Sequence, residues 1–203
     1  KYEPQVLRNF HYKNFITTHG FPEQILIVAD KKKKNVNVYG KMFADKKYEH
    51  IADYPFTRMS GTFGPKLREG DGQIPEGIYE MESLNPNSIF HLSLRVNYPN
   101  EFDKQKAKLD GRHLDKLGGD IMIHGRDRTI GCIPIGDVAI EELFVMAAKA
   151  GVGNVKILIL PCNLLNEENP PLEIENQPKW YPELLNNLRQ EMLNYKKMGI
   201  YFQ

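Results

Sequence analysis

The chain has 203 residues, with 27 Lys and Arg against 26 Asp and Glu for a formal net charge of +1. That balance excludes a protein built on a broad basic surface for nucleic acid, and 41% hydrophobic with 10% aromatic residues excludes a disordered chain. The longest apolar stretches, Ile25 to Ala29 and Val155 to Pro161 with Lys156 inside it, are too short to span a bilayer. Two cysteines, Cys132 and Cys162, are too few for a disulfide scaffold, and a single bridge between them stays open. The chain begins at Lys1 rather than Met, which reads as a trimmed or mature product, and the absence of a secretory signal here is uninformative.

In chain order, residues 3–19 mix apolar and polar side chains at helical spacing and predict a leading helix, stopped by Gly20 and Pro22. Gln24 to Asp30 reads as a buried strand, and Val36, Val38 and Met42 return as the second arm of a hairpin. Lys31 to Lys34 read as its solvated tip. Glycine and proline punctuate 59–79, predicting a long loop that feeds a short strand, Gly77 to Met81. Phe90 to Val96 alternates with period two as a half-buried strand. Residues 98–119, charged and rich in turn formers, predict a long surface loop. Ile121 to His124 is a short apolar strand. Asp137 is the expected N-cap of a helix over Val138 to Ala150 that stops at Gly151. Val155 to Leu160 is a second buried strand ended by Pro161. After a turn-rich stretch, 163–178, Tyr181 to Lys197 carries Leu184, Leu185, Leu188, Met192 and Tyr195 at helical spacing. Strands in the middle with helices at both ends predict an α+β fold, divided as a lead-in at 1–22, a core at 23–162 and a C-terminal extension at 163–203.

The segment that carries chemistry is IMIHGRDRTIGCIPIGD, residues 121–137. His124 ends a strand and is followed by Gly125. Cys132 comes eight residues after His124 and is preceded by Gly131. Nucleophilic thiol chemistry needs a base within hydrogen-bond reach and donors for the oxyanion, and a tight loop can bring this pair together. A lone Cys beside Gly is equally the pattern of a small core residue, and residue types alone leave that open. The neighbouring Asp127 and Asp137 give no zinc-ligand spacing, so no metal and no cofactor is expected.

The same segment resembles the active-site motif of the L,D-transpeptidase catalytic domain family, also called YkuD-like. Many members carry Ser-His-Gly-Cys where this chain has Thr129-Ile130-Gly131-Cys132, and the shorter spacing is similar to the YafK-type branch. GDGQIPEGIYEM (70–81) and NPNSIFHLSLRVNYPNEFD (85–103) resemble two further blocks of that branch, and Trp180 with the following helix resembles its C-terminal helix. The resemblance implies a mostly β, sandwich-like core with flanking N- and C-terminal helices. It also implies a periplasmic or cell-envelope location and peptidoglycan stem peptides as substrate, with a peptidoglycan-bound lipoprotein as a further partner. It implies Cys132 as nucleophile, His124 as base, the Gly125 carbonyl as the imidazole's anchor, and the Gly131 and Cys132 N–H groups as oxyanion donors. His91 and Tyr98 would line the substrate groove, and Arg126 and Arg128 would meet substrate carboxylates and favour the thiolate. The reaction implied is acyl transfer through a thioester at the L-centre of diaminopimelate, to water or to an amine. Transfer to water would detach a lipoprotein or make the protein an L,D-carboxypeptidase, and transfer to an amine would form crosslinks or attach a lipoprotein. A non-catalytic peptidoglycan-binding module is the alternative of another class.

Overall fold

The computed structural model describes residues 1–3, 10–166 and 177–202, with backbone alone for 10–14. Among them eight strands form one sheet: β1 (Gln24–Asp30), β2 (Asn35–Lys41), β3 (Glu49–Pro55), β4 (Gly77–Ser88), β5 (His91–Val96), β6 (Met122–His124), β7 (Ile133–Pro134) and β8 (Val155–Leu160). Their order is β3-β2-β1-β8-β4-β5-β6-β7, parallel at β1/β8 and β6/β7 and antiparallel elsewhere. Among the described residues four α-helices accompany the sheet, α1 (Phe10–His19), α2 (Glu101–Leu109), α3 (Asp137–Ala150) and α4 (Tyr181–Lys197), with two single 3-10 turns at Leu114–Lys116 and Val152–Asn154. The α+β expectation holds, with the β part a single mixed sheet curled into a half-barrel. Residues 4–9 of the expected leading helix and 167–176 of the turn-rich stretch lie outside the described residues.

The strand period divides the interior in two. Ile25, Ile27 and Ala29 of β1 and Val155, Ile157 and Ile159 of β8 face one core, while Leu26, Val28, Leu158 and Leu160 face the other. This is why both strands read as unbroken apolar runs: each is covered on both faces. On the concave side α3 contributes Ile140, Leu143, Met146 and Ala147. On the other side α4 contributes Tyr181, Leu184, Leu188, Met192 and Tyr195. Each such fully buried aliphatic side chain contributes about 1.5–3 kcal/mol over its exposed state.

Four features depart from the sequence reading. Strand β3 was not anticipated: the pairing bulges at Val38/Tyr39, so Ile51 and Ala52 both pack inward and the alternation that marks a strand is broken. Strand β4 runs to Ser88, well past Met81, because its outer half stays hydrogen-bonded to β5 after it has left the core. The expected loop at 98–119 contains α2, which starts with a reciprocal capping box. Asn100 Oδ1 accepts from Asp103 N–H at 3.0 Å and the Asp103 carboxylate accepts from Asn100 N–H at 2.9 Å. Only Ala107 of that helix is buried, so no apolar stripe betrays it.

The fourth departure is Lys31, which is no part of a solvated tip. Its ammonium is fully buried and its three protons go to Glu76 Oε1 at 2.8 Å, Gly64 O at 3.1 Å and Ile74 O at 3.1 Å. Glu76 also accepts from Gly64 N–H at 2.6 Å and from the Tyr181 hydroxyl at 2.5 Å. Nearby, Asp71 accepts from Lys66 Nζ at 2.7 Å and from the N–H groups of Leu67, Arg68 and Gln73. The Gly-rich segment is thus a fixed platform, cross-braced to the sheet by one buried ion pair and internally by one carboxylate.

Candidate active site

The parallel register of β6 and β7 builds the site. Ile123 lies opposite Ile133 and His124 opposite Pro134, so Cys132, one residue before β7, falls beside Met122. Because side chains alternate, Met122, His124 and Cys132 share one face of this pair while Ile123 and Ile133 share the buried other face. Both motif glycines are required by close approach. A Cβ at Gly125 would stand 2.7 Å from the Phe90 carbonyl oxygen and 2.6 Å from Asp137 Oδ1. Gly131 sits at φ +100° with the Gln73 carbonyl oxygen 2.8 Å from where its Cβ would be.

The loop between them is held at several points. Asp137 Oδ1 accepts from Arg126 N–H at 2.8 Å, the Arg126 carbonyl accepts from the Thr57 hydroxyl at 2.7 Å, and the Thr129 hydroxyl donates to the Cys132 carbonyl at 2.6 Å. Asp137 therefore does not cap α3. Gly136 occupies the N-cap, and the Asp137 carboxylate braces the catalytic-type loop instead.

His124 is fully buried, stacked at 4.5 Å between ring centroids on Phe90. Its Nδ1 lies 2.6 Å from the Gly125 carbonyl oxygen. A carbonyl only accepts, so the proton sits on Nδ1 and Nε2 carries the lone pair. Nε2 is buried with no hydrogen-bond partner among the described residues. Burial holds the imidazole below the usual histidine range, partly opposed by the Gly125 hydrogen bond, so the ring is neutral at physiological pH.

Cys132 is half-buried and no disulfide joins it to Cys162. Its Sγ donates to the Asp120 carbonyl oxygen at 3.4 Å and accepts from Met122 N–H at 3.4 Å. The thiol therefore hydrogen-bonds to the Asp120 carbonyl rather than to His124. Burial pushes the thiol above its ordinary value, with the Asp120 charge adding to the rise and the Met122 N–H opposing it. In the ligand-free site the dominant influence on the thiol is desolvation. Alkylation of Cys132 by iodoacetamide in the ligand-free protein is accordingly expected to keep accelerating with pH past the range where an ordinary exposed thiol levels off. A plateau reached below pH 7 would instead signal a preformed thiolate–imidazolium pair.

His124 and Cys132 open onto one cavity of about 670 Å³. Phe90 and Ile130 supply its apolar wall, and Arg58 and Arg128 its cationic one. Arg126 lines an adjoining cavity of about 470 Å³ together with Arg128, Asp127 and Ile89. The other expected residues lie elsewhere. His91 turns to Glu141, with Nε2 2.7 Å from Oε1, and Tyr98 is buried with its hydroxyl donating to the Lys66 and Leu117 carbonyls. Gly131 N–H is already spent on the Ser60 hydroxyl oxygen at 2.7 Å. Arg58 and Ser60 were not anticipated, because nothing local to residues 57–60 predicts that they pack on a loop seventy residues away. Among the described residues no three His, Cys, Asp or Glu side chains converge as a metal site would require, and no helix is long and apolar enough to cross a membrane.

A half-barrel sheet thus carries a buried imidazole and a half-buried thiol on the lining of one cleft. The pattern of the YkuD L,D-transpeptidase catalytic domain matches residues 24–157, and the chain belongs to that family. It is 30% identical over 142 residues to the protein named "Putative L,D-transpeptidase YafK" in Escherichia coli strain K12, a match covering 68% of this chain and 54% of the relative. The same figures hold for the Escherichia coli O157:H7 protein of that name. The match thus spans about half the length of these curated relatives. The crystal structure of the helical cell shape determining protein Pgp2 from Campylobacter jejuni shares the fold, with a TM-score of 0.52 at 22% identity over 85% of this chain and 56% of that one.

Proposed function

We propose that this protein is a periplasmic cysteine enzyme that cuts peptidoglycan stem peptides at the L-centre carbonyl of diaminopimelate, with water as the final acceptor. The observation that carries the reading is His124: a neutral imidazole, its tautomer set by the Gly125 carbonyl and its Nε2 without a hydrogen-bond partner among the described residues, lines the same cavity as Cys132. Membership of the L,D-transpeptidase catalytic domain family supports peptidoglycan as the substrate class.

Substrate binding turns the thiol from Asp120 towards Nε2, which takes its proton as sulfur attacks the carbonyl carbon. The backbone N–H of Cys132 serves the oxyanion, and Gly131 N–H joins it only when Ser60 releases it. The tetrahedral adduct collapses with cleavage of the carbon–nitrogen bond, and the imidazolium returns its proton to the departing amine. Water then attacks the thioester and gives a proton to Nε2. The carbon–sulfur bond breaks, and that proton restores the thiol. Because the thiol and imidazole are both neutral at rest, the proton moves only once a carbonyl is in place.

Hydrolysis of a diaminopimelate–lysine link to a lipoprotein is the reaction we favour, on the resemblance of residues 121–137 to the YafK-type branch and the short spacing between His124 and Cys132, which leaves a thioester open to water. Incubation with defined muropeptides, with products read by mass spectrometry, is expected to release tripeptide-ended fragments from lysine-bearing substrate, with crosslinked dimers minor even in excess acceptor. Crosslinks between two diaminopimelate residues as the main product would assign the same thioester to transpeptidation instead.

A further inference from the structure

Resting on the thioester reading just given, we propose that Arg58 is a specificity-determining residue that, together with Arg128, binds the free D-centre carboxylate of the acyl donor. The residues after β3 are fastened along the 125–134 segment at both ends. Thr57 N–H donates to the Pro134 carbonyl at 2.9 Å and its hydroxyl to the Arg126 carbonyl at 2.7 Å, while Ser60 accepts from Gly131 N–H at 2.7 Å. Arg58 lies between those fastenings, so its backbone is fixed relative to Cys132 although its side chain is exposed. Arg58 and Arg128 arrive from two separate segments and line the same cavity as the thiol.

The charge inventory around this cavity is lopsided. Among the described residues none of Arg58, Arg126 and Arg128 forms an ion pair, whereas Arg95 meets Glu82 at 2.6 Å and Asp120 at 2.7 Å, and Arg112 meets Asp110 at 2.9 Å. Of the carboxylates near the cleft, Asp120 is engaged by Arg95 and Asp137 by Arg126 N–H, while Asp127 lines the adjoining cavity without an ion pair to either neighbouring arginine. Guanidinium groups left without a carboxylate beside a half-apolar wall fit a ligand with an aliphatic stretch ending in a carboxylate, which the planar fork takes bidentately. Phe90 and Ile130, the latter 78% exposed, would cover the stretch. Diaminopimelate has that shape, and its D-centre carboxylate is present in every acyl donor whatever the leaving group. A lysine leaving group brings no carboxylate at a fixed distance, so the donor is the side that the cations can read.

The test compares two lysine-linked muropeptides, one with a free D-centre carboxylate and one with that carboxyl amidated, in wild type, Arg58→Ala and Arg58→Lys. Wild type is expected to prefer the acid at least about tenfold in kcat/KM, the worth of one charge-assisted pair. Arg58→Ala should lower kcat/KM on the acid by a similar factor, mainly through KM, and bring the acid-to-amide ratio towards one, with Arg58→Lys intermediate. The fold should be unaffected, since the removed side chain is solvent-exposed. Equal cleavage of both substrates by wild type, or an unchanged ratio in Arg58→Ala, overturns the assignment of Arg58 while the thioester mechanism stands. Cleavage of the acid substrate that survives in Cys132→Ala would overturn both.

Discussion

Cys132→Ala is expected to reduce turnover by more than about a thousandfold, the scale on which removing a covalent nucleophile acts. The fold should survive, because the sulfur makes only two long contacts, to Asp120 O and Met122 N, each at 3.4 Å. His124→Ala should lose nearly as much, and the double variant little more than either alone, since nucleophile and base act as a unit. Cys162→Ala is the matched control. That thiol is fully buried in the core beneath α4, so its removal should cost stability of about 1–2 kcal/mol and leave kcat within a few-fold. Activity surviving in Cys132→Ala and vanishing in Cys162→Ala would collapse the assignment.

The activity is also expected to fail on the acid side through His124. Burial depresses its folded value, so the imidazole stays a free base until the pH falls below the usual histidine range. An acid limb of kcat/KM placed below that range fits a neutral resting pair, whereas a limb above it would mean that the imidazole is held charged by a thiolate.

How far this was legible in the sequence depended on how locally each feature is encoded. His124, Gly125, Gly131 and Cys132 are close in the chain and their spacing permits one tight loop, but residue types leave a core cysteine equally open, and it is the family resemblance that singles out the pair. Its resting geometry could not be read, because the thiol's acceptor is a carbonyl at Asp120 and backbone atoms carry no sequence signature. The run Lys31 to Lys34 looked uniform, yet only Lys31 has Glu76 waiting 45 residues away. Asp137 sat where an N-cap belongs and was taken by the Arg126 amide instead. The cap of α2 was readable as Asn100 with Asp103 three residues on, a signal outweighed by the absence of an apolar stripe. Several residues of the two supporting motifs are architecture: Asp71, Glu76, Tyr79, Asn100 and Asp103 hold loops and helix ends together. The Tyr79 hydroxyl donates to Asp103, whose buried carboxyl is pushed up to about 6 by desolvation.

Lys31→Met is expected to be the most damaging single change outside the cleft. It leaves Glu76 fully buried with the Gly64 amide and the Tyr181 hydroxyl but no counter-charge. Removing one partner of a buried pair costs about 3–5 kcal/mol, far more than the pair itself contributes. For a chain of this size that lowers the melting temperature by roughly 10 °C. Pairing it with Glu76→Gln should recover a large share, because a neutral amide needs no counter-charge and its oxygen still accepts from Gly64 N–H. Urea unfolding of the two single variants and the double closes the cycle, and strictly additive losses would mean that the two groups are not coupled. The damage should also reach the cleft. The ion pair fastens the segment whose Gln73 carbonyl packs on Gly131, so Lys31→Met is expected to lower kcat at temperatures where the protein is still folded. Glu76→Gln added to it should restore kcat and stability together, since both depend on the same platform holding Gly131 and Cys132 in place.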